Sequence, residues 1–419
     1  MLRATFRSLS GFNYRLWAAG ALVSNIGSWM QRTAQDWIVF TELTANDATA
    51  VGVTMALQFG PSLFLLPFAG YIADHFDGRR VMLVTQTLQA ALALGLGILT
   101  LTGHIQLWHV YLFALMLGCV TAFDAPVRQT FVAELVSDAK LSNAVALNST
   151  SYQLARMIGP ALGGLLIAGI GTGWLFIINF VTFGAVIASL LAMRVAELHR
   201  FERAVRKPGS LLEGFGYVRG RPDLLVVFTM LFLVAAFVMN FAVFISAMAV
   251  TVFGASAGGF GLLSSALAIG SVFGALGSAR REKPRAILLL ASAFFLAVLF
   301  TGAALAPTYF TFGVALVGLG WALQMFMTTA NGTVQLLTEP MLRGRVMAIY
   351  MGILNGCTLF GAPFAGWVAN RYGARWSLMI GAAAALVAVA VGVRYLVRYR
   401  GLHTKREGWR LRFLLRELP

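Results

Sequence analysis

The chain has 419 residues, 59% of them in the hydrophobic set and only 11% charged, with a mean hydropathy of +0.78. A water-facing domain carries about 25% charged residues, so the composition excludes an ordinary soluble enzyme and points to a surface that meets lipid. The formal charge of +16 sits in short segments between apolar runs, which excludes a nucleic-acid footprint.

Residues 1–15 carry Arg3, Arg7 and Arg15 but no separate short apolar region with a small-residue cleavage site. They read as a cytoplasmic lead-in, not as a removed signal peptide. A bilayer core takes roughly 20 apolar residues per helix, and such runs follow at 16–42, 50–73, 81–103, 107–124, 143–169 and 172–193. A polar, basic stretch at 194–223, broken by Pro208-Gly209 and Arg221-Pro222, comes next. A second set of runs occupies 224–250, 257–279, 286–306, 308–331, 346–369 and 374–396. The tail interleaves Trp409, Leu411 and Phe413 with Arg410, Arg412 and Arg416 and is expected to lie on the inner membrane surface.

The predicted architecture is an all-α membrane protein with twelve transmembrane helices in two pseudo-symmetric six-helix bundles. The first bundle covers 1–193, a cytoplasmic linker 194–223, the second bundle 224–397, and a basic amphipathic tail 398–419. With the amino terminus inside, 28 of the 32 Lys and Arg fall in cytoplasmic segments, so the positive-inside rule supports both the span count and the orientation. Arg371 and Arg375 fall outside, and Arg32 and Arg156 fall within spans. The basic surplus is read as topology plus attraction to anionic membrane lipid. The expected location is the inner membrane.

The halves echo each other. Val127-Arg128-Gln129 precedes Gly159-Pro160-Ala161-Leu162-Gly163-Gly164, and Val334-Gln335 with Arg343-Gly344-Arg345 precedes Gly361-Ala362-Pro363-Phe364-Ala365-Gly366. Repeats of this kind mark transporters whose site lies at midplane between them. Gly159/Gly163, Gly270/Gly274 and Gly352/Gly356 are spaced for close helix approach, either as static packing or as seams that slide.

Charges within spans are functional candidates by default. Asn25, Arg32 and Asp36 lie within about 40° of one another on one helix, flanked by Ser28 and Trp29. Arg32 and Asp36 are placed to pair, either as a static pin or as a proton-binding carboxylate with its counter-charge. Arg156 has no carboxylate in its own helix, and Asp36 is its first candidate partner by charge. Asp124, with Arg128 one turn on, is expected to form a gate contact near the inner mouth. Trp321, Gln324, Thr328 and Asn331 share one face of the tenth span, and Asn240 plays a weaker part in the seventh. Each offers either a substrate contact or an interhelical hydrogen bond.

Cys119 and Cys357 read as small buried hydrophobes, and the five histidines lie in loops or near span ends. The sequence contains no catalytic cluster, metal-ligand spacing or phosphate loop, so neither enzyme chemistry nor a cofactor is expected.

Gly70-Tyr71-Ile72-Ala73-Asp74-His75-Phe76-Asp77-Gly78-Arg79-Arg80 resembles the loop motif of the major facilitator superfamily, with His75 and Asp77-Gly78 as departures. Gly159-Pro160-Ala161-Leu162-Gly163-Gly164 resembles the exporter motif of the fifth span, with Ala155 replacing the first glycine. Asn25-Ile26-Gly27-Ser28-Trp29-Met30-Gln31, Ala34-Gln35-Asp36-Trp37, Phe123-Asp124-Ala125-Pro126-Val127-Arg128-Gln129 and Arg343-Gly344-Arg345-Val346 are similar to the transmembrane secretion effector branch.

The resemblance implies a major facilitator fold, no cofactor, and export of drug- or siderophore-like small molecules in exchange for protons, with a monomer sufficient. It also implies an inner gate of Gly70, Asp74, Arg79, Arg80, Asp124, Arg128, Arg343 and Arg345. The arginine that many drug/proton antiporters carry in the fourth span is missing ahead of Gly118, so Asp36 with Arg32 or Arg156 becomes the expected coupling site. The cavity is expected between spans 1, 4, 7 and 10. Rival readings are a lysophospholipid transporter and a non-transporting sensor or assembly partner.

Overall fold

The computed structural model describes residues 7–199, 211–279, 286–339, 341–400, 403–407 and 410–414. The first helix, α1 (Phe12–Trp37), continues as a π-helical turn over Ile38–Leu43. The chain reverses through Asn46, at φ 64°, into α2 (Ala48–Phe59), whose first amides are capped by Asp47. Next, α3 (Pro61–His75) extends the same span after a bend at Gly60, with Pro61 in the first turn, where its missing N–H leaves no gap. The remaining first-bundle helices are α4 (Gly78–Leu101), α5 (Leu107–Glu134), α6 (Asp138–Ile170) and α7 (Thr172–Leu191).

Within the region read as a linker, α8 (Leu211–Arg219) is a short helix, and 200–210 lies outside the described residues. The second bundle comprises α9 (Pro222–Phe237) and α10 (Phe241–Ala247), α11 (Ala257–Ala279) and α12 (Ala286–Ala304). It is completed by α13 (Tyr309–Leu337), α14 (Arg343–Gly356), α15 (Thr358–Tyr372) and α16 (Ala374–Arg400). The tail supplies an antiparallel hairpin, β1 (His403–Glu407) with β2 (Arg410–Leu414).

Eleven helical stretches among the described residues are long and apolar enough to cross a membrane. Outside that set, besides the short α8, is α1, whose 26 residues are diluted by Asn25, Gln31, Arg32, Gln35 and Asp36. Predicted and observed ends agree within about four residues except at the start of the fifth run, which begins five residues earlier, and at the ends of the tenth, which runs six residues further, and the fourth. There α5 continues ten residues past 124, through Pro126, with Asp124 and Arg128 paired across the proline.

The two sets of helices meet in a seam built on backbone contact. A Cβ on Gly52 or Gly366 would strike the backbone of Ala362 or Ala48, joining α2 to α15. One on Gly164 or Gly261 would likewise join α6 to α11. Ser265 donates to the Met157 carbonyl at 2.8 Å, and Trp37 packs on Phe260 with centroids 5.9 Å apart. At the end of the seam, Asn370 donates to Asp47 and to Thr49 and accepts the Ala48 N–H at 2.9 Å.

Candidate functional site

Beyond the seam, toward the end that carries the basic loops, lies a cavity of about 930 Å³. Its lining is lopsided. Asn25, Ser28, Trp29, Gln31 and Arg32 come from α1, and α4–α7 add Gln89, Thr121, Asp124, Arg128, Gln129, Asn148, Tyr152 and Asn179. The second bundle adds Ala275 of α11 and Gln324 of α13. The expected four-span lining is thereby corrected: nothing from α9 or α10 is among the lining residues.

Trp29 stands where α1 meets α6. The Arg32 guanidinium lies 4.9 Å from the Trp29 ring centre and 5.4 Å from that of Phe59. From α6, the Arg156 guanidinium lies 5.7 Å from the same Trp29 ring, and Tyr152 meets that ring edge-on at 5.9 Å. Gly159 makes this possible, since a Cβ there would collide with the Trp29 side chain and the Ile26 carbonyl.

The expected pairs of Asp36 with Arg32 and with Arg156 are not formed: among the described residues neither arginine lies within 4.0 Å of a carboxylate. Helix side chains lean toward the amino terminus, which carries Arg32 back onto Trp29, three residues earlier, and away from Asp36. Trp29 itself sits about 10 Å along the axis from Asp36, so Arg156, at the level of Trp29, falls short of it as well. Asp36 feels Arg32 through space but accepts no hydrogen bond from a described residue.

Asp124 has the opposite surroundings. Its Oδ2 accepts from Arg128 Nε at 3.0 Å and Nη2 at 2.9 Å, and its Oδ1 accepts from Thr85 at 2.6 Å and Gln86 at 2.8 Å. Arg128 also reaches Asn25 at 3.4 Å. Every partner belongs to the first bundle, so in this structure the network forms part of the cavity wall.

The other expected gate residues also work within one bundle. Arg79 Nε donates to the Leu190 carbonyl at 2.7 Å, closing the carboxyl end of α7, where a cation suits the helix dipole. Arg343 Nε donates to the Gln335 carbonyl at 3.1 Å, and Arg345 pairs with Glu213 of α8. Arg80 lines a lateral groove beside His75. Gly70 is exposed, and a Cβ on it would meet no described residue within 4 Å. The Asp74 side chain lies outside the described part.

Of the exporter-motif residues, Gly159 and Gly163 pack α6 on α1, while Gly164 and the Pro160 carbonyl meet α11. On α13, Gln324 lines the cavity and donates to Thr328 at 3.2 Å, and Asn331 accepts from Gln335 at 2.6 Å. Trp321 packs edge-on against Phe295 at 5.8 Å, away from the cavity lining. Asn240 is fully buried at the break between α9 and α10, where it donates to the Ala236 carbonyl at 2.7 Å. It is a helix-break residue, not a cavity residue. Sequence reasoning missed Tyr152 and Gln89. The available signals were Tyr152 one turn before Arg156, and a glutamine in an otherwise apolar run.

The described residues thus form a helical membrane bundle with a cavity lined chiefly by its first half and a backbone seam at one end. The chain matches the transmembrane secretion effector model over residues 4–406 and belongs to that family, part of the major facilitator superfamily. The enterobactin exporter EntS of Shigella flexneri is 26% identical over 324 residues, 75% of this chain and 73% of the relative. The uncharacterized MFS-type transporter YfiS of Bacillus subtilis is 28% identical over 232 residues, 54% of this chain; the alignment spans only about half of that relative, 53%. A bacterial homologue of the lysosomal transporter Spinster, in an inward-facing and unoccupied conformation, superposes with a TM-score of 0.71. That match covers 91% of this chain and 96% of the other at 14% identity, a likeness of fold alone.

Proposed function

We propose that the protein is a secondary active exporter of small hydrophobic or amphipathic molecules, drug- or siderophore-like, working by alternating access across the inner membrane. The observation that carries this is the cavity, which reaches Arg128, Gln129 and Val132 toward the basic-loop end and stops short of the glycine seam. In this reading α1 is the twelfth span, both termini are cytoplasmic, and the structure represents the inward-open state. A solute enters between the bundles, the seam parts, and the inner-mouth residues Asp74, Arg79, Arg343 and Arg345 come together when the cavity faces outward. One chain holds the whole cavity, so a monomer suffices.

Return of the carrier is driven by a proton on Asp36. A carboxylate inside the membrane with no fixed partner is costly unless it performs work, and Asp36 sits beside the seam that must open, next to Trp37 and its contact with Phe260. The test uses everted membrane vesicles carrying a respiration-driven pH gradient, with macrolides, tetracyclines, dyes and catecholate siderophores added in turn. Substrate-dependent collapse of the gradient is expected for the unaltered protein and is lost in Asp36→Asn. Uphill transport by Asp36→Asn would remove Asp36 from the mechanism. Movement of lysophospholipid, with no response to the panel, would favour the lipid-transport alternative.

A further inference from the structure

We propose that the arginines at Trp29 form a seat for the acidic group of an amphipathic organic anion, so that the exported molecules include aromatic carboxylates. This rests on the transporter reading and names a substrate class for its cavity. Two helices present the same pair of groups to one point. On α1, Trp29 is followed by Arg32, and on α6, Tyr152 is followed by Arg156. Both guanidiniums sit over the Trp29 ring, at 4.9 and 5.7 Å. Their charges repel each other, yet neither makes a hydrogen bond or ion pair with a described residue.

A guanidinium has five N–H donors and keeps its charge under all physiological conditions. Arg128, by comparison, shows what this bundle does with a structural arginine: it is matched to Asp124 at 2.9 Å. At Trp29 there are two cations and, beyond them on α1, the single carboxylate Asp36, so at least one positive charge is unbalanced inside the membrane. Such a charge is expensive without a counter-ion. A carboxylate held by one or both guanidinium forks supplies the missing charge and the missing acceptors. Trp29 and Tyr152, the latter exposed to the cavity, supply a flat apolar surface for the ring attached to it. Nearby Gln89, Asn148 and Gln153 add polar groups to the same wall.

The measurement is equilibrium dialysis of the purified full-length protein in nanodiscs against three probes that share one ring system: 2-naphthoate, methyl 2-naphthoate and 2-naphthylmethylamine. The acid is expected to bind roughly tenfold or more tightly than the ester or the amine, the weight of one charge-assisted hydrogen bond. Arg32→Gln and Arg156→Gln should each reduce acid binding by about that factor while leaving ester binding unchanged. Arg32→Lys and Arg156→Lys retain the charge and should recover part of the preference, which separates loss of the seat from misfolding. Equal binding of acid and ester, preference for the amine, no binding of any probe, or indifference to both glutamine substitutions would overturn the proposal. Vesicle transport of the acid that is unaffected by those substitutions would overturn the anion seat alone. Selective acid binding without vesicle transport of any compound would instead overturn the exporter reading.

Discussion

Asp124 accepts four hydrogen bonds inside the first bundle, whereas Asp36 accepts none from the described residues. The two carboxylates should therefore respond oppositely to substitution. Asp124→Ala leaves Arg128 uncompensated and strands Thr85 and Gln86, and breaking a buried ion pair in this way costs on the order of 3 kcal/mol. The low end of the range is appropriate because the Arg128 side chain keeps 20% of its exposure. A clear drop in melting temperature in detergent is expected. In the same melt, Asp36→Asn should leave the midpoint unchanged, since it removes no fixed contact, while abolishing coupled transport. A large loss of stability in Asp36→Asn would show that Asp36 is a structural group. The Asp124–Arg128 pair was readable from its spacing of four within one helix. The Trp29 cluster was not, because cation–π contacts from two helices leave no spacing in a single sequence. The attraction of Arg32 to a ring, and not to the carboxylate one turn on, is a matter of side-chain direction.

Helix pairs carry the next level of the argument. The seam uses Gly52 and Gly366 to lay α2 against α15, and Gly164 and Gly261 to lay α6 against α11. Small-residue spacing in the sequence announced close approach but could not name the partner. Gly159 and Gly163 turn out to pack α6 on α1 within a bundle, and Gly270 and Gly274 pack α11 on α13. Only Gly352 and Gly356, which face Leu63 of α3, join the bundles as a sliding seam would. Breaks in helices were also hard to read. Pro126 lies inside a continuous α5, while Asn240 marks an interruption that no proline announces.

The seam ends on Asn370, whose three bonds to Asp47, Ala48 and Thr49 tie the start of α2 to the end of α15. These bonds are partly solvated, so their joint loss in Asn370→Ala should be worth about 1.4 kcal/mol, a roughly tenfold shift toward the state open at that end. Spin labels on the short loops flanking Asn46 and Gly373 should report the change as a longer-distance population by pulsed electron resonance. An unchanged distance distribution would show that the glycine contacts alone keep the seam shut.

For the molecule as a whole, the charge distribution does what no single helix can: it predicts which side each loop occupies, from the order of apolar and basic segments alone. The existence and order of the apolar helices were the most legible part of the sequence. What is left to experiment is α1, the one long helix not apolar enough to count as a span on composition. Its polar residues face the cavity at Asn25, Ser28, Trp29 and Arg32, and its opposite side is packed against α6 and α7 through Gly20, Gly27 and Met30. A helix shielded in this way needs little lipid-facing apolar surface to cross the bilayer, because the bundle and the cavity cover its polar stripe. Twelve crossings put both ends of the chain on the same side, and eleven put them on opposite sides. Green fluorescent protein folds to a bright form only in the cytoplasm, and alkaline phosphatase is active only outside it, so the pair reads each end independently. Fluorescent-protein fusions at residue 1 and at residue 419 should both be bright. A phosphatase fused after Gly103 or Gly254 should be active, because the positive-inside bias predicts both loops on the opposite side. A dark amino-terminal fusion beside a bright carboxyl-terminal one would mean that α1 does not cross. The Trp29 cavity would then belong to a bundle of five spans, and the rocking of two equal halves would have to be abandoned.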